Sequence, residues 1–235
     1  IIIDGATIYD QQDKEMVKAR RLAVKISLPS LINGRISISS AQIFATHLHL
    51  YQDSMGADHN FQFVLDSLAS KDTTSSNPLD LRINSLIMRQ GSVTYDRLFA
   101  ARIPGKLNPS HLCIEDISAH IVLKALNSDS VNLNIKRLAF KERSGIKVNR
   151  MSVAFKGSKQ GCLLSGLNIR MPNSHLRVDT IAASYNAKND KIDFGSLKFH
   201  GAIDKSIINA RDFAFLSPSL ADINDSIVLH SDFEG

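Results

Sequence analysis

The sequence predicts a mainly β fold, an elongated and curled antiparallel β-sheet that forms a groove, with one or two short helices. Three observations predict it: apolar residues alternate with period two along most of the chain, a short apolar unit recurs, and the acidic residues are 19 Asp against 4 Glu. Asp favours turns and caps whereas Glu favours exposed helix faces. This imbalance therefore suits a chain of strands and turns.

The alternation is clearest between Arg35 and Tyr51, where apolar residues share one phase. A longer unit repeats elsewhere: an apolar pair at i and i+2, two polar or small residues, then a second apolar pair. In six copies the second pair starts three residues after the first ends, at Ile83/Leu86, Ile114/Ile117, Ile135/Leu138, Val148/Met151, Val178/Ile181 and Phe194/Leu197. In the segment from Arg35 to Tyr51, the apolar residues that share one phase of the alternation are Ile36, Ile38, Phe44, Leu48 and Leu50.

An odd step would place the second pair on the opposite face of a regular strand. Either the strands are buried on both faces, or a bulge absorbs the extra residue and keeps both pairs on one face. Because the intervening residues are often polar, as at Lys136, Arg137, Asn149 and Arg150, we favour bent strands that share one apolar face. A β-sandwich of two sheets with ordinary bulges is the alternative.

The domain organisation follows from the same pattern: residues 1–235 are expected to be a single continuous β-groove segment, a fragment of a longer protein, with about 12 to 16 strands. Short helices are predicted at 60–68, capped by Asn60, and at 210–216, ending near Pro218. Loops are predicted at 70–78 and 97–109, and a hairpin turn at 157–161. No apolar stretch approaches the length of a membrane span.

The charge is modest, at +5 with a pI near 9.2. Lys18, Arg20, Arg21 and Lys25 predict a basic strand. Anionic headgroups near a membrane would suit it, but we favour a charge-protected sheet edge. Nucleic-acid binding is discounted because basic residues are not interleaved with aromatic platforms and only 6% of residues are aromatic.

Catalytic and metal motifs are weak. The chain has no Gly-x-Ser-x-Gly and no phosphate-binding loop, so we expect no enzyme and no cofactor. His47 and His49, and likewise His111 and Cys113, are two residues apart and would share a side of a strand, but further ligands at a recognisable spacing are missing. We therefore expect no metal site, and expect Cys113 and Cys162 to be free thiols.

Several segments together resemble the TamB branch of the AsmA-like family. They carry structural rather than catalytic signatures, and in order they cover nearly the whole chain. The stretches are Ile3–Asp13 leading into Ala19–Val24, Asn60–Phe63, Pro78–Ile83, Arg89–Asp96, Asn108–Leu112 and Arg211–Pro218.

The resemblance implies a Gram-negative envelope protein, anchored to the inner membrane by an N-terminal helix and extending through the periplasm. Relatives fold as an elongated, curled sheet with an apolar lining. They are linked to phospholipid transport toward the outer membrane and to outer-membrane biogenesis, with an outer-membrane β-barrel partner in the TamB branch. The anchoring helix and the family's C-terminal domain are not in this sequence, so the partner would dock through parts not present here.

The resulting hypothesis is a groove that holds phospholipid acyl chains. A scaffold that assists assembly of outer-membrane β-barrel proteins is the alternative, and a carbohydrate-binding adhesin domain is disfavoured because the chain has no Trp. The residues expected to line the groove are Ile83, Leu86, Ile114, Ile117, Ile135, Leu138, Val148, Met151, Val178, Ile181, Phe194 and Leu197.

Overall fold

The computed structural model describes residues 1–27, 36–69, 81–127, 129–188 and 191–235. Within these residues the chain forms eleven strands, one α-helix and two 3₁₀ helices. The helix α1 spans Gln62–Ala69, between β3 and β4, and the 3₁₀ helices span Ala210–Phe213 and Pro218–Asp222, between β10 and β11. The strands are β1 (Ile2–Tyr9), β2 (Glu15–Ile26), β3 (Ile36–Gln52), β4 (Leu81–Arg97), β5 (His111–Leu126), β6 (Ser130–Glu142), β7 (Lys147–Ser158), β8 (Gly161–Arg170), β9 (His175–Lys188), β10 (Lys191–Asn209) and β11 (Ser226–Glu234).

All eleven strands belong to one sheet, in which each strand lies beside its neighbours in sequence. The edge strands β1 and β11 do not pair with each other, so the sheet is open and curled rather than a closed barrel. The predicted fold class is confirmed. The sandwich alternative is wrong, because the described residues form no second sheet. The number of described strands is below the expected 12 or more because the strands are long, up to 19 residues in β10.

One pair of strands departs from the expected antiparallel order. β3 and β4 run parallel, with a constant offset of 45 residues from Ile36–Leu81 to Gln52–Arg97, whereas the other neighbouring pairs are antiparallel. A parallel pair needs a connection that returns the chain to the same end of the sheet. The segment between the two strands, which includes α1, makes this return.

The three-residue steps are absorbed by bulges, as the sequence predicts. Ile83 and Leu86 of β4 pair with Leu123 and Ile121 of β5, and the register of β4 against β5 shifts between them. Residues two apart in a regular strand face the same side, and so do directly paired residues. Ile83 and Leu86 therefore lie on one face despite their odd spacing.

The same reasoning holds for the other copies whose pairing is described. Val148 and Met151 pair with Phe140 and Leu138, which are two residues apart in β6. We call the shared side the apolar face and the other side the polar face. In three further copies the partners on the neighbouring strand are likewise two residues apart, so each copy keeps both residues on one face. These partners are Val93/Gly91 for Ile114/Ile117, Ile121/Ala119 for Ile135/Leu138, and Ile203/Gly201 for Val178/Ile181.

Residues in the left-handed backbone region mark where several strands bend. Ala45 (φ 48°) and Gln90 (φ 54°) are side by side in β3 and β4, at the shared offset of 45 residues, and Asp116 (φ 54°) follows in β5. A left-handed residue is typical of a bulge that bends a strand and reorients its side chains. The bend at Ala45 also corrects the sequence reading of β3: Phe44 pairs with Arg21 and Arg89 and lies on the polar face, opposite to the phase predicted for it.

The predicted helices and turns are found in part as expected. α1 confirms the helix after Asn60. At 210–216 the structure has a single turn of 3₁₀ helix, Ala210–Phe213, whose Arg211 amide is capped by the Asn209 side chain at 3.0 Å. The hairpin at 157–161 is confirmed by the Ser158–Gly161 pair, the loop after Arg97 is confirmed, and the loop predicted at 70–78 lies outside the described residues.

The position of the basic strand was predicted wrongly. β2, which carries Lys18, Arg20, Arg21 and Lys25, pairs with β1 on one side and β3 on the other, so it is not an edge. Charge at these positions serves to solvate the polar face. Edge protection was inferred because basic residues are common on edge strands, but a sequence does not reveal which strand is last in a sheet.

Candidate functional site: an apolar groove across the sheet

The floor of the groove is a row of small and tightly packed residues on the apolar face. Ala19 of β2 pairs with Thr46 of β3. The constant offset of 45 residues between β3 and β4 places Gly91 beside Thr46, and Gly91 in turn pairs with Ile117 of β5. Ala19, Thr46 and Ile117 are 5%, 3% and 9% exposed. A Cβ atom at Gly91 would lie 2.6 Å from the Met88 Sδ and 3.2 Å from the Ile117 Cβ. A side chain at Gly91 would therefore have to displace Met88 or Ile117.

The floor continues across the later strands with larger residues. Val148 in β7 and Val178 in β9 are 7% and 5% exposed. Their burial, without a second layer among the described residues, fits the inner side of a curled sheet, and we assign the apolar face to that concave side.

The walls of the groove are less buried than its floor. Seven of the residues predicted to line it are half-buried, although they lie in the middle strands of the sheet. In a two-layer protein such positions would be covered by the opposing layer. The seven are Ile83, Leu86, Ile114, Ile135, Leu138, Met151 and Ile181.

The structure thus brings ten of the twelve predicted lining residues onto one face. Leu197 is two residues before Phe199, whose partner Ala183 is on the apolar face, but it lies where the β9–β10 register shifts and is 37% exposed. The side chain of Phe194 lies outside the described part of the structure. These two residues are in the least regular part of the sheet.

Sequence reasoning missed several residues that share this face. Phe155 pairs with Leu133 and Leu164 and extends the apolar wall, while Ala41 and Ala119 contribute to the floor at 5% and 6% exposure. Ala41 and Ala119 stand at apolar positions of the repeated unit, although the predicted lining set holds only larger residues. The cross-strand register places both on the apolar face.

One margin of the groove is covered by the segment before α1. The ring of His59 stacks on Tyr95, and its Nε2 lies 3.0 Å from the Tyr95 hydroxyl oxygen. Asn60 is held beside it, because its side chain accepts from the Tyr51 amide and donates to the His49 carbonyl. This segment closes the end of the apolar face at β3 and β4.

A buried carboxylate fixes the same margin. Asp10 accepts from the Tyr51 hydroxyl at 2.7 Å and from two backbone amides of its own turn at 2.9 and 3.0 Å. Burial opposes its ionisation, but these hydrogen bonds and a weaker one from Asn60 keep the pKa of Asp10 below its usual value. Burial and the Asp10 carboxylate raise the pKa of Tyr51. Both carboxylate oxygens of Asp10 already accept hydrogen bonds within the protein, so the network has a structural role.

The polar face carries the charges and a separate cavity of about 750 Å³. Arg20, Arg21 and Arg89 line it together with Asp4 and Phe44. Asp4 bonds the Arg21 guanidinium at 2.6 Å, and this hydrogen bond lowers the pKa of the exposed carboxyl. The cavity is on the opposite side of the sheet from the predicted lining residues.

The candidate metal ligands have structural partners. His47 and His49 share the polar face as predicted, but His47 bonds Ser92 and His49 packs on Tyr51. Among the residues that the structure describes, no group of three potential ligands could hold a metal ion. His111 places Nδ1 2.7 Å from Asp96 and Nε2 2.9 Å from the Ala100 carbonyl, which fixes the loop after β4.

The thiols are not arranged for nucleophilic chemistry. Cys113 is buried and Cys162 half-buried, and both are free. Burial raises the pKa of the Cys113 thiol, so it stays protonated and unreactive.

Comparison with protein-family models, curated proteins and solved structures finds no match to this chain. Across the described residues, no helix is long and apolar enough to cross a membrane.

Proposed function

We propose that this chain is a segment of an inner-membrane-anchored periplasmic protein of the TamB/AsmA-like type, whose apolar groove carries phospholipid between the inner and outer membranes. In this role it supports outer-membrane biogenesis in a Gram-negative bacterium. The proposal assigns binding and guidance to the groove and no chemical reaction.

A single observation carries the proposal: an apolar face extends across eleven strands, and its wall residues stay half-buried in the middle of the sheet. Ten intervals of about 4.8 Å give a face about 48 Å long. Apolar surface on this scale is rarely left in contact with water, because contiguous exposed patches beyond a few hundred Å² are unusual. A ligand with long apolar chains would cover it.

Acyl chains match the chemistry of the groove. Each buried CH₂ group contributes about 0.8 kcal/mol, so an acyl chain binds such a face strongly without specific polar contacts. The lining residues from Ile83 to Ile181 are all uncharged and mostly aliphatic, so neighbouring positions differ little in affinity. This uniformity favours movement of a lipid along the groove over retention at one site.

The first test is native mass spectrometry of the purified chain, in which bound phospholipid is expected. The second measures transfer of a fluorescent phospholipid between vesicles by Met151→Asp and Ile181→Asp. Both charges would lie in the groove wall, and transfer is expected to fall at least about tenfold, since a buried charge costs several kcal/mol.

The matched controls are Ser152→Asp and Thr180→Asp, which place the same charge on the polar face one residue away. Their transfer rates should equal that of the unmodified chain. Equal transfer by the groove variants and the controls, with all variants folded by circular dichroism, contradicts the groove assignment.

A second candidate function, a scaffold for assembly of outer-membrane β-barrel proteins, is favoured by the two sheet edges. In the described structure β1 and β11 each pair on one side only, and Ile2, Ile227 and Val228 are 70%, 69% and 59% exposed. An unpaired edge can add a strand from another chain. Photo-crosslinkers at Ile2 and Ile227 should capture unfolded barrel protein if this function holds, whereas one at Ser152 should not.

A further inference from the structure

The loop between β4 and β5 exposes apolar side chains that the described residues leave uncovered. Leu98, Phe99 and Ile103 are 55%, 41% and 55% exposed. Two neighbouring segments extend this surface: Met55 is 84% exposed and Leu216 is 58% exposed. Together these five residues, here called the apolar rim, lie at one end of the strands, outside the groove floor.

The loop is held in place, so its side chains do not simply project from an unstructured chain. The Leu98 amide donates to the Gln52 carbonyl at 3.0 Å, which joins the loop to the segment that carries Met55. The Leu107 amide donates to the Phe215 carbonyl at 2.9 Å, which joins it to Leu216.

Two side chains from the end of the loop and the start of β5 hold the middle of the loop by hydrogen bonds to its backbone carbonyls. His111 bonds the Ala100 carbonyl at 2.9 Å, and Asn108 donates to the Ala101 carbonyl at 3.1 Å. These bonds hold the loop backbone in the position in which Leu98 and Ile103 are exposed.

Basic residues are interleaved with the exposed apolar ones. Arg97, Arg102 and Lys106 are all exposed within the same ten residues. The neighbouring carboxylates are largely engaged: Asp96 bonds both His111 and Arg102, at 2.7 and 2.8 Å, and Asp53 pairs with Lys14 at 3.8 Å. Residues 97–110 hold these three basic residues and no acidic one, so the loop itself keeps an excess of positive charge even with Asp96 at its base.

We propose that the apolar rim docks onto the surface of an anionic lipid bilayer, with Leu98, Phe99 and Ile103 inserted among the headgroups and Arg102 and Lys106 at the phosphates. Exposed aliphatic and aromatic side chains flanked by Arg and Lys are the pattern by which peripheral segments bind membrane interfaces. Long basic side chains reach the headgroup layer while their stems pack on apolar surface. The rim is separate from the groove, so this docking does not depend on whether the groove carries lipid.

The experiment is co-sedimentation of the full chain with phosphatidylcholine vesicles that contain phosphatidylglycerol, and with vesicles of phosphatidylcholine alone. Binding is expected to the anionic vesicles and to weaken with added salt, because charge attraction to the surface is screened. The double variant Leu98→Ser/Ile103→Ser should bind about tenfold or more weakly, since it removes the inserted apolar area. Arg102→Gln and Lys106→Gln should each weaken binding about fivefold.

Ile2→Ser and Lys25→Gln serve as matched controls, because they remove an exposed apolar residue and an exposed charge far from the rim. Their binding should be unchanged. The proposal is overturned by absence of binding to anionic vesicles, by equal binding to phosphatidylcholine alone, or by equal losses in the rim variants and controls. Circular dichroism of each variant separates loss of binding from loss of folding.

Discussion

The same strands form both faces of the sheet, but one face buries apolar side chains and the other exposes charged side chains to solvent. On the concave face Val178 is 5% exposed, whereas the next residue, Asp179, is exposed on the convex face of the sheet. The concave face buries its floor by curvature, with no second layer among the described residues, while its walls stay half-buried. The convex face stays solvated by arginine and lysine. One sheet can therefore bury apolar residues by bending, provided that its bulges keep them on the inner side.

The largest expected effect comes from charging the floor of the concave face. Val178→Asp should lower the free energy of unfolding by about 3–5 kcal/mol, because it buries an unpaired charge and removes an apolar contact. Asp179→Asn on the convex side should change it by less than about 0.5 kcal/mol. Urea denaturation measures both. Similar losses in the two variants would mean that the faces are not distinct.

The next effect concerns the left-handed residues that keep the apolar pairs together. Gly166 has φ 62° with open space around the missing Cβ, so Gly166→Ala should lower the free energy of unfolding by about 1–2 kcal/mol through backbone strain alone. Gln90, at φ 54°, already carries such strain, and Gln90→Gly should raise stability by about 0.5–1 kcal/mol. In both thermal and urea unfolding, the two variants should shift the unfolding midpoint in opposite directions. Shifts of the same sign would contradict the assigned bends.

A smaller effect is expected at Thr46, which interrupts the apolar floor. Its hydroxyl is buried and has no hydrogen-bond partner among the described residues. Thr46→Val removes this unpaired group at nearly constant volume and should raise the free energy of unfolding by about 1 kcal/mol. The control is Thr94→Val on the convex face, where the hydroxyl donates to the Leu48 carbonyl, so its removal should not stabilise the protein.

The smallest effect is a pH dependence on the convex face. Burial, with Arg170 and Arg177 nearby, lowers the pKa of His175. The unfolded chain then binds the proton more readily than the folded chain, so stability contributed by neutral His175 is complete above about pH 6.5 and is lost as the pH falls. His175→Gln should flatten this part of the profile, measured as urea midpoints from neutral to mildly acidic pH. An unchanged profile would show that His175 is freely solvated.

Much of the groove could be predicted from the sequence because its signal is local. The step from Ile135 to Leu138 across two basic residues is readable as a bulge, since the alternative would bury Lys136 or Arg137. The register confirms that both residues share a face. The hairpin at 157–161 and the helix after Asn60 were predictable for the same reason.

Other features were not predictable, because they depend on which strands become neighbours. Phe44 fits the apolar alternation of its strand, yet the bend at Ala45 places it among arginines. The parallel pairing of β3 with β4 and the interior position of β2 carry no local signature. The exposure of Leu98 and Ile103 also depends on how the loop is anchored by distant residues.

The class of fold and the composition of its two faces follow from local sequence patterns, because side-chain alternation and bulge spacing are properties of a few consecutive residues. That the apolar face is concave and uncovered by other described residues follows only from how the strands assemble. That outcome depends on the sum of many small bends across neighbouring strands, and on the absence of a second layer within the described residues, neither of which a single strand encodes.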